Sequence, residues 1–277
     1  MMTLSELLML STVRLTNSSG HIGTGFFFEY NIEGKTVPVL VTNKHVILNK
    51  NLERVNFKLN KTIDNVTSNG FIDIEYNAEW NLESQYDLCF AYVGELLSKL
   101  KEEHGIKPFN FIINESLILD ENGYKELDAI EEVIMIGYPI GLADEYHNLP
   151  IVRSGITASH PFKDYSGKKI GLVDMSCYRG SSGSPIFIYN RGEYKTRSEH
   201  FIGKSRLVLL GILYSGHTYS EEGIVKVMEV PTLHQLISST KTMINLGLYV
   251  KSTELIELKK YVYEDLSKSG LIDSKDK

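Results

Sequence analysis

The apolar residues of this chain come in short runs closed off by polar turns, and no window holds eighteen uninterrupted apolar residues. Runs of that length, rich in Val, Ile, Thr, Tyr and Phe, suit strands better than helices. They are too short for a membrane-spanning helix. The first set falls at 12–16, 24–31, 36–42, 54–59, 71–76 and 87–93. TGFFFEYN and TVPVLVTN are its strongest members, and the polar turn Ile32-Glu33-Gly34-Lys35 predicts a hairpin between them. A second set falls at 132–137, 151–159, 170–176, 184–189, 206–215 and 223–230. Two successive groups of about six strands predict an all-β protein of two barrels or sandwiches packed together.

Helical periodicity is confined to a few places. VGELLSKLKEEH at 93–104 puts Leu96, Leu97 and Leu100 on one face and stops at Gly105. Residues 105–130 read as a linker. After Pro231 the text turns helical, first in TLHQLISS and then in TELIELKKYVYEDLSKS, where Leu255, Ile256, Leu258, Tyr261, Val262 and Leu266 share a broad face. The expected division is 1–110 for an N-terminal barrel, 111–240 for a second barrel and 241–277 for a helical C-terminal tail. That helix is expected to cover a barrel end, or to meet a protein partner or a second copy.

With 42 % apolar and 23 % charged residues, the chain can build a sizeable core. The net charge of −6 and the absence of any Lys/Arg block argue against nucleic acid, whose affinity comes from neutralised phosphates. MMTLSELLMLSTVRL has a short apolar run broken by Glu6 and no basic residue ahead of it, which argues against a secretory signal. Cys89 and Cys177 lie in apolar text and read as buried free thiols, compatible with a reducing, cytoplasmic setting. The cysteines and histidines show no metal-ligand spacing, and no cofactor is expected. Gly20-His21-Ile22-Gly23-Thr24-Gly25 precedes a strand rather than a helix, so a dinucleotide loop is rejected. Glu131-Glu132 reads as solvated surface.

Three stretches carry chemistry. Arg179-Gly180-Ser181-Ser182-Gly183-Ser184-Pro185 is a loop of small residues before the strand IFIY. A serine hydroxyl attacks a carbonyl only if a base takes its proton and paired donors hold the oxyanion. Glycines let backbone N–H groups converge without a Cβ in the way, so Gly180 and Ser182 are the candidate oxyanion donors. Thr42-Asn43-Lys44-His45-Val46 places a histidine where the strand VPVLVT stops. In Tyr86-Asp87-Leu88-Cys89-Phe90-Ala91, a carboxylate opens a strongly apolar strand and needs a partner, which a histidine N–H would supply. Each element alone has a plain structural explanation: a turn, a half-buried histidine, a capping aspartate. Their order, His45, then Asp87, then Ser182, is that of chymotrypsin and not of subtilisin or the α/β-hydrolases.

On these residues the sequence resembles trypsin-like peptidases of the chymotrypsin clan. It is nearest the disulfide-free bacterial branch with the Deg-type stress proteases and glutamyl endopeptidases. The matching pieces run from GTGFFF (23–28) through VTNKHV (41–46), YDLCFAYV (86–93), VIMIGYPIGL (133–142), RSGITAS (153–159) and VDMSCYRGSSGSPIF (173–187) to GILYSG (211–216) and GIVKVMEVP (223–231). The resemblance implies two six-stranded antiparallel β-barrels with the site between them. It implies a serine endopeptidase acting on polypeptides, with Ser182 as nucleophile, His45 as base and Asp87 as orienting group. It further implies a substrate-pairing strand at 211–216, hence Tyr214, Ser215 and Gly216 at the substrate. Counting back from Ser182 puts Ser176 at the floor of the first specificity pocket, which disfavours Lys or Arg there. His217, just past the 211–216 strand, reads either as a pocket-rim residue, as a histidine is in acid-selective relatives, or as a solvent-facing loop histidine. Ser181 replaces the Asp or Asn of many relatives, and Lys44 the usual small residue before the histidine. A latent protease-fold binding module, or an esterase on the same fold, remains open.

Overall fold

The computed structural model describes residues 2–47, 52–63, 66–104, 113–225 and 236–272, without the side chains of 52–53, 62–63, 66–69, 217–225 and 236–243. The chain opens with helix α1 (Leu4–Leu10), whose Thr3 and Glu6 form a reciprocal capping box. That Thr-x-x-Glu signal stands in the sequence. The first sheet follows: β1 (Thr12–Asn17), β2 (Ile22–Ile32), β3 (Lys35–Thr42), β4 (Leu52–Ile63), β5 (Val66–Glu79) and β6 (Cys89–Tyr92). All six coincide with the expected runs.

Its order is β5-β4-β1-β2-β3-β6, antiparallel throughout. The two edge strands curl toward each other. Asn81, just beyond β5, bridges Phe90 of β6 through N–H to C=O contacts of 2.8 and 3.3 Å, so the curl is joined at one residue pair. The β2–β3 turn forms where it was expected, with Glu33 and Gly34 at φ 51° and 80°, the left-handed pair a two-residue hairpin requires.

Helix α2 (Gly94–His104) buries Leu97 and Leu100 against this sheet. Helix α3 (Glu121–Lys125), capped by Asp120, lies within the expected linker, of which 105–112 fall outside the described residues. The second sheet comprises β7 (Glu132–Gly137), β8 (Ile151–Thr157), β9 (Ile170–Asp174), β10 (Pro185–Asn190), β13 (Arg206–Val225) and β14 (Leu236–Lys251). It closes as a barrel in the order β10-β13-β14-β9-β8-β7. A small ribbon of β11 (Glu193–Lys195) and β12 (His200–Ile202) projects after β10. The fold is thus all-β, a chymotrypsin-like double barrel with a C-terminal helix, α4 (Thr253–Lys268).

Several expectations are corrected. The sixth strand of the second barrel is not 223–230, whose first three residues end β13 and whose remainder lies outside the described residues. It is β14, so the second barrel runs to Lys251 rather than 240, and the tail expected to be helical from 241 is strand to 251 and helix only from Thr253. TLHQLISS is likewise strand from Leu236, its first four residues lying outside the described set. The reason is tertiary: β14 is hydrogen-bonded to β13 from Leu236 onward and also to β9 at Leu246–Val250, and this pairing overrides local helical preference. Glu131 is not solvated surface; it is 5 % exposed and paired with Arg206 at 2.5 Å.

One core cluster spans both barrels. Phe26, Phe28, Tyr30 and Phe90 from the first meet Ile136, Phe187, Leu209 and Ile212 from the second, with Leu255, Leu258 and Val262 of α4 between them. The Tyr30 hydroxyl donates to Leu255 O at 2.9 Å, and that of Tyr92 to Asp265 Oδ2 at 2.8 Å. The apolar face of α4 is therefore buried within the molecule.

Candidate active site

β3 ends at Thr42, and the chain turns through a single 3-10 turn at Lys44–Val46. The turn is tied down on every side. Asn17 Nδ2 donates to Val46 O at 2.9 Å, Asn43 Nδ2 donates to Asp87 O at 2.6 Å, and Lys44 Nζ donates to Ser84 O. Lys44 thus has a structural task that a small residue could not perform. These ties aim the His45 ring at the bend just before β6. There Nδ1 lies 2.5 Å from Asp87 Oδ2, and the His45 backbone N–H donates to Asp87 Oδ1 at 3.1 Å. A carboxylate on Nδ1 fixes the proton there and leaves the Nε2 lone pair free to accept another.

Tyr214, on β13, lies close enough to this pair to feel the Asp87 charge. It is half-buried, and burial together with the nearby Asp87 charge raises its hydroxyl pKa above the usual phenol range.

Ser182 comes from the other barrel. Its carbonyl accepts from Thr24 N–H at 2.8 Å, and Thr24 O accepts from Thr42 Oγ1 at 2.7 Å. Thr42 is three residues before His45, so this pair of hydrogen bonds sets the serine loop beside the histidine turn. No hydrogen bond joins Ser182 Oγ to the His45 ring among the described residues. Gly183 sits at φ 88° where any Cβ would overlap Thr24 O. The close approach of the two barrels therefore requires glycine there.

The loop orients its own amides. In a trans peptide the C=O and N–H point opposite ways. Arg179 O accepts from Ile140 N–H at 2.5 Å, so the Gly180 N–H points away from that contact. Ser181 O accepts from Ser184 N–H at 3.0 Å, so the Ser182 N–H is likewise turned away. Neither N–H donates to any group among the described residues. Thr24 Oγ1 adds a bond to Gly180 O at 2.8 Å and accepts from Tyr138 N–H at 3.1 Å. The Ser181 and Ser184 hydroxyls are buried without a partner among the described residues.

The other candidate residues lie on β13 and in the stretch between β9 and the serine loop. Leu213 N–H donates to Ser184 O at 2.9 Å and Leu213 O accepts from Gly183 N–H at 2.8 Å, the contacts that join β13 to the serine loop. Beyond them, Ser215 and Gly216 pair with Leu248 and Gly247 of β14 on one edge only, leaving the opposite edge without a strand among the described residues. Ser176 is half-buried between Met175 and Cys177. Both cysteines are unbridged and buried; burial raises Cys89 well above the usual thiol range and Cys177 to about 11, against the opposing pull of Arg153. The Arg153 guanidinium lies 5.0 Å from the centre of the Tyr178 ring. His217 falls at a bulge of β13 rather than in a loop, with its side chain outside the described set. Thr24 and Ile140 were not anticipated as site residues. Both lie inside stretches that carry the family resemblance, but Ile140 acts through its backbone N–H and Thr24 through its backbone and its hydroxyl, in contacts with distant segments that local text does not announce. No group of metal-binding side chains occurs among the described residues, and no helix among them is long and apolar enough to cross a membrane.

A double barrel with a histidine–carboxylate pair on one wall and a glycine-rich serine loop on the other has the architecture of the chymotrypsin-like hydrolases. The family model of the trypsin-like peptidase domain matches residues 23–194, and the chain belongs to that family. The matched stretch contains His45, Asp87 and Ser182 but stops short of β13 and β14. Comparison with curated proteins finds no match.

Proposed function

We propose that this protein is a serine endopeptidase that cleaves polypeptides through Ser182, His45 and Asp87. The observation that carries the reading is the 2.5 Å contact of His45 Nδ1 with Asp87 Oδ2, made between residues 42 positions apart at the ends of two strands. In the proposed cycle His45 Nε2 takes the Ser182 proton as Oγ adds to the scissile carbonyl. The N–H groups of Gly180 and Ser182 stabilise the oxyanion, and His45 returns the proton to the leaving amine. Water then repeats the sequence on the acyl-enzyme. Asp87 holds the tautomer and steadies the imidazolium.

The free edge of Tyr214–Gly216 is suited to accept an extended substrate as an added strand. Ser176 offers no charge at the pocket floor, and Arg153 brings positive charge next to the adjoining Cys177, which accords with disfavour of Lys or Arg at P1. The unbridged cysteines accord with the disulfide-free branch of the family. The outward pinning of the carbonyls at 179 and 181 favours an active site over a latent module. The test is labelling of the full chain by a fluorophosphonate, with turnover of casein and of a p-nitrophenyl ester. Labelling and casein cleavage that vanish in Ser182→Ala are expected. Labelling that survives in that variant refutes the assignment, and ester turnover without casein cleavage favours an esterase.

A further inference from the structure

The loop behind the oxyanion site holds a residue in an unfavourable conformation. Ile140 has φ 56° and ψ 21°, a left-handed geometry that a β-branched side chain rarely adopts. Such a residue carries a backbone-strain cost. Packing does not offset that cost, because the Ile140 side chain is 65 % exposed. What the conformation achieves is the direction of its N–H, which meets Arg179 O at 2.5 Å.

The loop is held from the first barrel. Arg14 of β1 donates through Nη1 to Gly141 O at 2.9 Å and to Glu145 Oε1 at 2.6 Å, and through Nη2 to Glu145 Oε2 at 3.4 Å. Two residues earlier on the same strand, Thr12 O accepts from the Tyr138 hydroxyl at 3.2 Å. The backbone at Gly141 also rests on Ile22, whose Cδ1 lies 2.8 Å from where a Cβ would stand. Both cysteines are unpaired, so no disulfide secures the loop.

We propose that Arg14 is a positioning residue for catalysis. By gripping Gly141 and Glu145 it keeps Ile140 in its left-handed geometry, which keeps the Arg179 carbonyl turned out and the Gly180 N–H turned into the cleft. Without that grip the Arg179–Gly180 peptide can rotate, and its carbonyl oxygen then occupies the place where a donor is needed. The inference rests on the serine-peptidase reading, with Gly180 as an oxyanion donor.

The experiment compares the full chain with Arg14→Met and Arg14→Lys. Its readouts are kcat and KM on a peptide amide, and affinity for a peptide aldehyde. Ser182 Oγ adds to the aldehyde carbon, giving an oxyanion in the hole, so the aldehyde probes the donors directly. Losing one donor outright lowers turnover about 10²–10³-fold; a donor that is only loosened is expected to cost roughly tenfold. Arg14→Met should therefore lower kcat and aldehyde affinity together, with KM within about twofold, and Arg14→Lys should recover much of the loss. An active parent chain matched by Arg14→Met in kcat and aldehyde affinity overturns the role of Arg14 alone, as does a change confined to KM. A parent inert toward both amide and aldehyde overturns the peptidase reading and this one with it. Should Arg14→Met fail to fold, Glu145→Gln on the exposed partner is read the same way. A drop in kcat of about two- to threefold at constant KM supports the proposal, and parental values overturn it.

Discussion

Gly180 and Gly183 show how much chemistry rests on missing side chains. Both have positive φ, 85° and 88°, and both face backbone oxygens at close range. A Cβ on residue 180 would stand 2.5 Å from Tyr138 O. Gly180→Ala should displace the peptide whose N–H is the proposed oxyanion donor and lower kcat by about 10²-fold or more. Steady-state kinetics on a peptide amide, with a melting curve to separate folding from chemistry, would check this; unaltered kcat would remove Gly180 from the oxyanion site. RGSSGSP offered glycines at 180 and 183, which suit a loop whose backbone N–H groups must converge but suit a plain turn as well. The contacts that impose glycine there were not legible, since Thr24 O and Tyr138 O belong to segments far away in the sequence.

At the scale of elements, the first six strands and α4 could be read directly, each being a short apolar run or a helical face with its own stop signals. β14 could not, because what makes it a strand is pairing with β13 and, over Leu246–Val250, with β9. The segment after β8 illustrates a contact of the same non-local kind. His160 Nε2 accepts from Arg197 Nη2 at 2.7 Å, and Arg197 Nε donates to Leu127 O at 3.2 Å. Burial first, then the charges of Arg197, Lys163 and Lys251, hold the His160 pKa below the ordinary histidine value, against the opposing pull of Asp128. The folded chain therefore resists a proton that the unfolded chain accepts. Stability from this contact is full above the unfolded pKa of about 6.5 and declines as pH falls from there toward the lower folded value. His160→Gln keeps an acceptor for Arg197 but cannot titrate. The fall in melting temperature between pH 7.5 and pH 5 should be smaller in this variant than in the parent; an equal or larger fall would contradict the assignment.

For the molecule as a whole, the shared core makes the two barrels and α4 one cooperative unit. Leu258, 1 % exposed, lies in the cluster that both barrels enter. Leu258→Ala should cost about 2–5 kcal/mol and still unfold in one step. The single tryptophan makes this measurable, because Trp80 is buried in the first barrel alone. Its fluorescence should change at the same denaturant midpoint as the circular dichroism of the whole chain, in parent and variant alike. Separate midpoints would show that the barrels fold independently. Local text by itself settled the β character of this protein, its division into two sets of strands, the chemical types at positions 45, 87 and 182, and their order, because apolar period and side-chain chemistry are properties of short stretches. Only the tertiary structure decided that His45 meets Asp87, which carbonyls in the serine loop are turned outward, that α4 is buried between the barrels and that β14 is a strand. Each of these depends on hydrogen bonds and packing between residues dozens of positions apart, and such contacts exist only once the barrels have closed on one another.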